Sequence, residues 1–382
     1  MSKIHLSNKV EISTNITNWR TRPFNRWAFR NIKKLIPVVS VEHDLCHPNI
    51  LKTASKSLNG VIFKLLLKVT STDAIVILYK GEIVYESYAN GNDANTPHIL
   101  MSATKAVIGL VGGILEDKGN IDLNAAVSTY VPEINGTVYQ DVTLRQLLDM
   151  RSGIVLDEHQ QNRYDLATNW EPVPEGKSKM GLHEFYSQIK QSGELMDGTF
   201  RYSSANTDLL GWAIESATGR NINKLLSDLL WKPMGAETEA YITVDKDGAP
   251  RCTGGLCATA RDFARIGQLI IDGGTVNSKE IIPISVIADI ANNADQEAWK
   301  NGQWGKAFAP ISKNMCYRNG WYIINDQPQI IFAMGVYGQN LFIDRANQIV
   351  IAKFSSWKKP TDYLALPLTH YLVKRIRLSL IS

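Results

Sequence analysis

The chain is predicted to be an α/β protein of the α+β kind: an antiparallel sheet flanked by helices, with an all-helical region inserted. Strand-like runs of β-branched and aromatic residues stand towards both ends of the chain, the stretch between them has helical periodicity, and turn residues bound each run. At 382 residues, 44% hydrophobic and 20% charged, there is material for two domains and their cores. The pattern divides into an α/β domain of residues 1–98 and 310–382 that includes an N-terminal arm, and a mainly helical domain of residues 99–309, with the active site expected between them.

The elements follow in order. Asn18 to Phe29, NWRTRPFNRWAF, mixes Trp and Phe with Arg and reads as an extended arm wrapped on the body rather than a nucleic-acid stacking surface. From Asp73, DAIVILYKGEIVYESYANG gives two β-rich runs around Lys80-Gly81, a hairpin signal. Thr143 to Ile154, TLRQLLDMRSGI, begins as an amphipathic helix at a Thr cap. The polar stretch from Ile154 to Gly181, with Pro172, Pro174 and Gly176, reads as a long loop and a candidate lid. Helices resume at LHEFYSQIKQSG, NTDLLGWAIESATG and NINKLLSDLLWKPMG, and again after the glycines in Gly254 to Gly274. From about Tyr317, GWYIIND, QIIFAMGVYG, QNLFIDRA and QIVIAKFSSW return to strands. A C-terminal helix carries Lys374, Arg375 and Arg377 on a solvated face.

The net charge of +4 comes from 41 basic and 37 acidic residues scattered among one another, so neither nucleic acid nor a membrane is expected as a partner. Four cysteines, Cys46, Cys252, Cys257 and Cys316, are too few for a disulfide framework and lack zinc-site spacing; no metal and no cofactor is expected. MSKIHLSNKVEISTN has no unbroken apolar core, which makes a cytoplasmic location the default expectation.

Chemistry concentrates in His98 to Gly119, HILMSATKAVIGLVGGILEDKG. Ser-x-x-Lys occurs four times, at Ser102/Lys105, Ser187/Lys190, Ser355/Lys358 and Ser356/Lys359. Only Ser102 follows an apolar run and precedes Ala103, Ala106, Gly109, Gly112 and Gly113, small residues that let a helix pack closely. Residues three apart share a helix face, so the amine sits beside the hydroxyl, a candidate activated nucleophile. A Ser cap with a snorkelling Lys is the bland alternative, but burying an unpaired ammonium is costly. Tyr202 in TFRYSSANTDLLGW stands just before a helix start, where a phenol can serve as a second proton carrier or simply pack.

SATK at 102–105, YSSAN at 202–206, GGLCATARDFARIG at 254–267 and MGVYGQNLFID at 334–344 together resemble the serine β-lactamase-like hydrolases, class C type. NRWAF, ITVD and KFSSW are similar to segments of the 6-aminohexanoate-dimer hydrolase and family VIII esterase subgroup. The resemblance implies the β-lactamase/transpeptidase-like fold and an acyl-enzyme on Ser102, with Lys105 as the amine that lowers the proton cost and Tyr202 as general base and later acid. It implies an oxyanion hole from the amides of Ser102 and Val336, and a pocket drawing on Gln160, Tyr164, Trp170, Ser204, Asn206, Thr253, Gly335 and Tyr337. Gln160 falls where nylon-oligomer enzymes place a Tyr that assists the leaving amine, and Tyr164 lies four residues on. Lys-Thr-Gly is absent; its strand reads Ala333-Met334-Gly335-Val336. The expected substrates are therefore small carboxylic esters, with amides such as short amino-acid oligomers second. The alternatives are a class C β-lactamase or D,D-peptidase, and a non-catalytic ligand-binding or sensor protein. A homodimer is compatible with this reading. A Ser-His-Asp hydrolase is not supported, because no Gly-x-Ser-x-Gly elbow occurs.

Overall fold

The computed structural model describes residues 10–54, 61–176, 178–190, 194–195 and 198–382. Residues 1–9, read above for a leader's apolar core, and 191–193, at the end of LHEFYSQIKQSG, lie outside that set. Strand β1 (Val38–Val41) follows the arm, and β2 (Thr72–Tyr79) and β3 (Glu82–Tyr88) form the expected hairpin. Its two turn residues, Lys80 and Gly81, have φ of 52° and 81°, the left-handed conformation a two-residue hairpin requires. Between the two ends lie β4 (His98–Ile99), β5 (Ile154–Val155) paired with β6 (Glu194–Leu195), β7 (Ala240–Thr243), β8 (Leu256–Ala258), and β9 (Thr275–Val276) paired with β10 (Lys279–Glu280).

The C-terminal strands are β11 (Met315–Arg318), β12 (Trp321–Ile324), β13 (Ile330–Gly335), β14 (Gln339–Asp344) and β15 (Ile349–Ser355). They join the hairpin in an antiparallel sheet of order β11-β12-β13-β14-β15-β2-β3, so the pairing of β15 with β2 closes it. A second sheet, β1-β7-β8-β4, had no periodic signal: its strands are two to four residues long and come from four distant places.

Period-two alternation sends the two faces of the large sheet to different cores. Ala74, Val76, Leu78, Val350 and Ala352 face inward, while Ile75, Ile77, Ile349 and Ile351 face an outer layer. That outer layer holds helix α1 (Val61–Val69), absent from the sequence reading. The inner face receives α2 (Thr104–Asp117). Gly109 permits it to sit where it does, since a Cβ there would stand 1.8 Å from the Asn319 carbonyl oxygen. Each fully buried Ile or Val on these faces contributes about 1.5–3 kcal/mol.

Two expectations change. Within the stretch expected to be a loop lies α3 (Glu158–Ala167), started by a capping box in which Asp157 and Gln160 satisfy each other's backbone amides at 2.8 and 2.9 Å. The signal, Asp-x-x-Gln, was present but was masked by the low apolar content of the helix. Helix α4 (Ser204–Thr218) and the Thr143-capped helix Leu144–Leu148 stand where expected, but α5 (Ala260–Ile271) packs on β14, β15 and β2. That helix, from within the 99–309 segment, thus covers the sheet. The arm, expected to be extended, folds in short helical turns and buries Trp19, Trp27 and Phe29. Trp19 Nε1 donates to the Trp170 carbonyl at 3.2 Å, and Asn25 Nδ2 to that of Trp357 at 2.9 Å. The last element, α6 (Ala365–Ile381), lies in the outer layer. No helix among the described residues is long and apolar enough to cross a membrane.

Lys353 on β15 is completely buried; its ammonium donates to Ser355 Oγ. Burial brings its pKa down to about 7, opposed by the charge of Asp73, which is itself buried 3.8 Å from His98. An unfolded lysine titrates near 10.4. Between those values the unfolded chain holds a proton that the folded chain lacks, so the penalty is full below pH 7 and fades as pH rises towards 10. Lys353→Met is therefore expected to raise the melting temperature at pH 6 and to raise it less at pH 9. Equal shifts at the two pH values would rule out this titration as the cause.

Candidate active site

β4 pairs with β8, and Leu100 extends the pairing by donating to the Leu256 carbonyl at 2.8 Å. The chain then enters a 3₁₀ turn, Met101–Ala103, that runs into α2. Met101 has φ of 48°, a conformation costing a non-glycine residue about 1–3 kcal/mol, immediately before Ser102. Residues placed so at a turn into a helix present the next side chain outward, and Ser102 is half-buried in a cavity wall.

Behind it the Lys105 amine, 2% exposed, donates to Ser102 Oγ at 3.2 Å and to the Thr253 carbonyl at 2.9 Å. It lies 4.7 Å from the centre of the Tyr202 ring. Burial, with the Arg251 guanidinium nearby, holds the amine well below its usual value. Burial also pushes the Tyr202 phenol up to about 12, although the Ser102 hydroxyl and Arg251 act in the other direction. The phenol is thus protonated at neutral pH. Of the two proton carriers, it is the amine whose pKa burial brings down rather than up.

Gly335 closes the other side. A Cβ there would stand 2.4 Å from the Leu100 carbonyl oxygen and 3.0 Å from the Ser102 amide nitrogen. Only glycine lets β13 press against the turn that carries Ser102, and Val336, next in the chain, enters the cavity wall with Ser102.

That cavity, about 280 Å³, brings together Ser102, Tyr202, Gly335 and Val336. The other expected pocket residues do not line it. Gln160 is occupied in the cap of α3. Tyr164 is 1% exposed and donates to Asp208 at 2.6 Å. Asn206, fully buried, accepts from Ser152 Oγ at 3.1 Å. Trp170 lies behind Gly254 and donates to Thr243 Oγ1 at 3.1 Å. Tyr337 turns away, with φ of 63°, its amide on the Pro360 carbonyl at 2.8 Å and its ring 5.2 Å from that of Phe29. Ser204 and Thr253 contribute carbonyls: that of Ser204 accepts from Thr253 Oγ1, and that of Thr253 accepts from Lys105.

These displaced residues build the support instead. Asp208 is salt-bridged to Arg251, accepts from Tyr164, and accepts the Thr253 amide at 2.8 Å, fixing the carbonyl that Lys105 uses. The walls that sequence reasoning missed come from two irregular stretches. Trp304 stacks on Tyr202 with centroids 4.6 Å apart and Phe308 follows it, while Trp357, Tyr363 and Leu366 close the far side. The tryptophans of QEAWKNGQW, out of place in a polar segment, were the available signal.

The chain is 31% identical over 354 residues to a 6-aminohexanoate-dimer hydrolase of Paenarthrobacter ureafaciens, covering 90% of this chain and 88% of that protein. A candidate 6-aminohexanoate-dimer hydrolase from Bacillus anthracis superposes with a TM-score of 0.83 at 27% identity, over 97% of this chain and 98% of the other. A family VIII carboxylesterase shares the fold at a TM-score of 0.59 and 17% identity, over 82% and 95% of the two chains. The sequence pattern of the β-lactamase family matches residues 67–372, and the chain belongs to that family.

Proposed function

We propose that the protein is a serine hydrolase that acylates on Ser102 and acts on small, uncharged carboxylic esters, with short amides second. The observation that carries this reading is the buried Lys105 amine 3.2 Å from Ser102 Oγ with no carboxylate among its hydrogen-bond partners. A neutral amine takes the hydroxyl proton as Oγ bonds to the ester carbon. The carbonyl oxygen gathers charge and is met by the amides of Ser102 and Val336, donors of a kind whose loss costs about 3–4 kcal/mol. Tyr202, protonated, gives its proton to the departing alkoxide and regains it from Lys105. Water then attacks the acyl-enzyme and releases the acid. Assigning the base role to Lys105 rather than Tyr202 departs from the sequence expectation and follows from the phenol's pKa of about 12.

Among the described residues, the cavity wall includes no Asp, Glu, Lys or Arg. A β-lactam or peptide carboxylate would need a cation there, and the ammonium of an amino-acid oligomer an anion, so neutral esters fit best. Intact-mass spectrometry with a fluorophosphonate, alongside turnover of p-nitrophenyl acetate, tests the reading. One adduct per chain, absent in Ser102→Ala, together with ester turnover is expected. Labelling of Ser102→Ala would exclude Ser102 as the nucleophile; an adduct without turnover of any ester would favour a binding or sensor protein.

A further inference from the structure

Helices α1 and α6 pack against each other and bury Leu66, Leu67, Leu372, Val373 and Ile376 on the outer face of the large sheet. Their other faces are apolar as well. Ile62, Leu65 and Val69, spaced to share one side of α1, are 62%, 57% and 48% exposed. Tyr371, Leu378 and Ile381 of α6 are 47–48% exposed. Large apolar side chains so exposed on two adjoining helices mark an interaction surface rather than scatter. Lys64, Lys68, Lys374 and Arg375 stand exposed among them, and none of the four enters an ion pair among the described residues. Neither helix contains an acidic residue.

We infer that this α1–α6 face binds an anionic lipid surface. Apolar side chains interleaved with unpaired cations suit the boundary between anionic headgroups and acyl chains. Charge selects the occupant. In a second copy, four cations would meet four cations with no acid on either helix to relieve them, whereas anionic lipid complements them. The solvated reading of the C-terminal basic cluster treated α6 alone; α1, some 300 residues earlier in the chain, doubles the charged and apolar strip.

Co-sedimentation of the full chain with vesicles tests the inference. Binding to phosphatidylcholine containing one third phosphatidylglycerol, weakened by salt and absent with phosphatidylcholine alone, is expected. Lys64→Gln with Lys68→Gln should weaken it about 30-fold. Leu65→Ser with Leu378→Ser should weaken it at unchanged charge, and circular dichroism checks that both variants are folded. Equal binding to the two vesicle types, or to the folded variants and the parent, would overturn the inference. So would a dimer in sedimentation velocity that Leu65→Ser with Leu378→Ser converts to a monomer, with no binding to either vesicle type; the face would then be a self-contact.

Discussion

Lys105→Met should lower kcat/KM for a p-nitrophenyl ester by about 10²- to 10⁴-fold, the span that positioned proton transfer contributes. The substitution removes the one basic group in hydrogen-bond contact with Ser102 Oγ and fills the same buried channel with a chain of similar length. Because an amine is costly to bury and the Lys105 pKa is pulled down by that burial, the melting temperature should hold or rise, separating chemistry from folding. The pH profile gives the second readout. If the neutral amine is the base, parent activity climbs with pH as the Lys105 ammonium loses its proton, at a pH well below the ordinary lysine value. The Met variant should lose that limb. A variant that keeps the parent profile would exclude Lys105 as the base.

Asp208→Ala should be the most destabilising single change near the site, by about 3–5 kcal/mol, because it strands a buried guanidinium. Arg251 is 6% exposed and lies 4.9 Å over the Tyr164 ring and 5.1 Å over that of Trp170, away from bulk solvent. The Thr253 amide and the Tyr164 hydroxyl would lose their acceptor too. Adding Arg251→Met should recover much of the loss, and denaturant melts of the four-member cycle would give the coupling. Additive losses would mean that the pair does not act as a unit.

The legible parts of the site were those determined by local geometry. Ser102 and Lys105 are one helical turn apart, and Gly109 and Gly113 announced a helix pressed close on its neighbours, as Asn319 and Val286 now show. The large sheet was readable because each strand alternates between two cores. The resemblance put Gln160 and Tyr164 in the pocket by counting along the chain; the helix begun by Asp157 takes Gln160 into its cap and turns Tyr164 inward. Trp304 stayed hidden because its segment has no period and Trp357 because it follows the end of a strand; only tertiary packing brings them to Ser102.

The pairing of β2 with β15 also sets a timetable for synthesis. β2 leaves the ribosome some 270 residues before its partner, which at about 5–20 residues per second is a wait on the order of tens of seconds. During that interval one edge of the hairpin is open, and until those residues are made Lys105 lacks the Thr253 carbonyl and Ser102 lacks Gly335. The nascent chain therefore carries Ser102 and Lys105 long before it carries the cavity around them. A chaperone that shields the β2 edge would act while that edge has no partner to pair with.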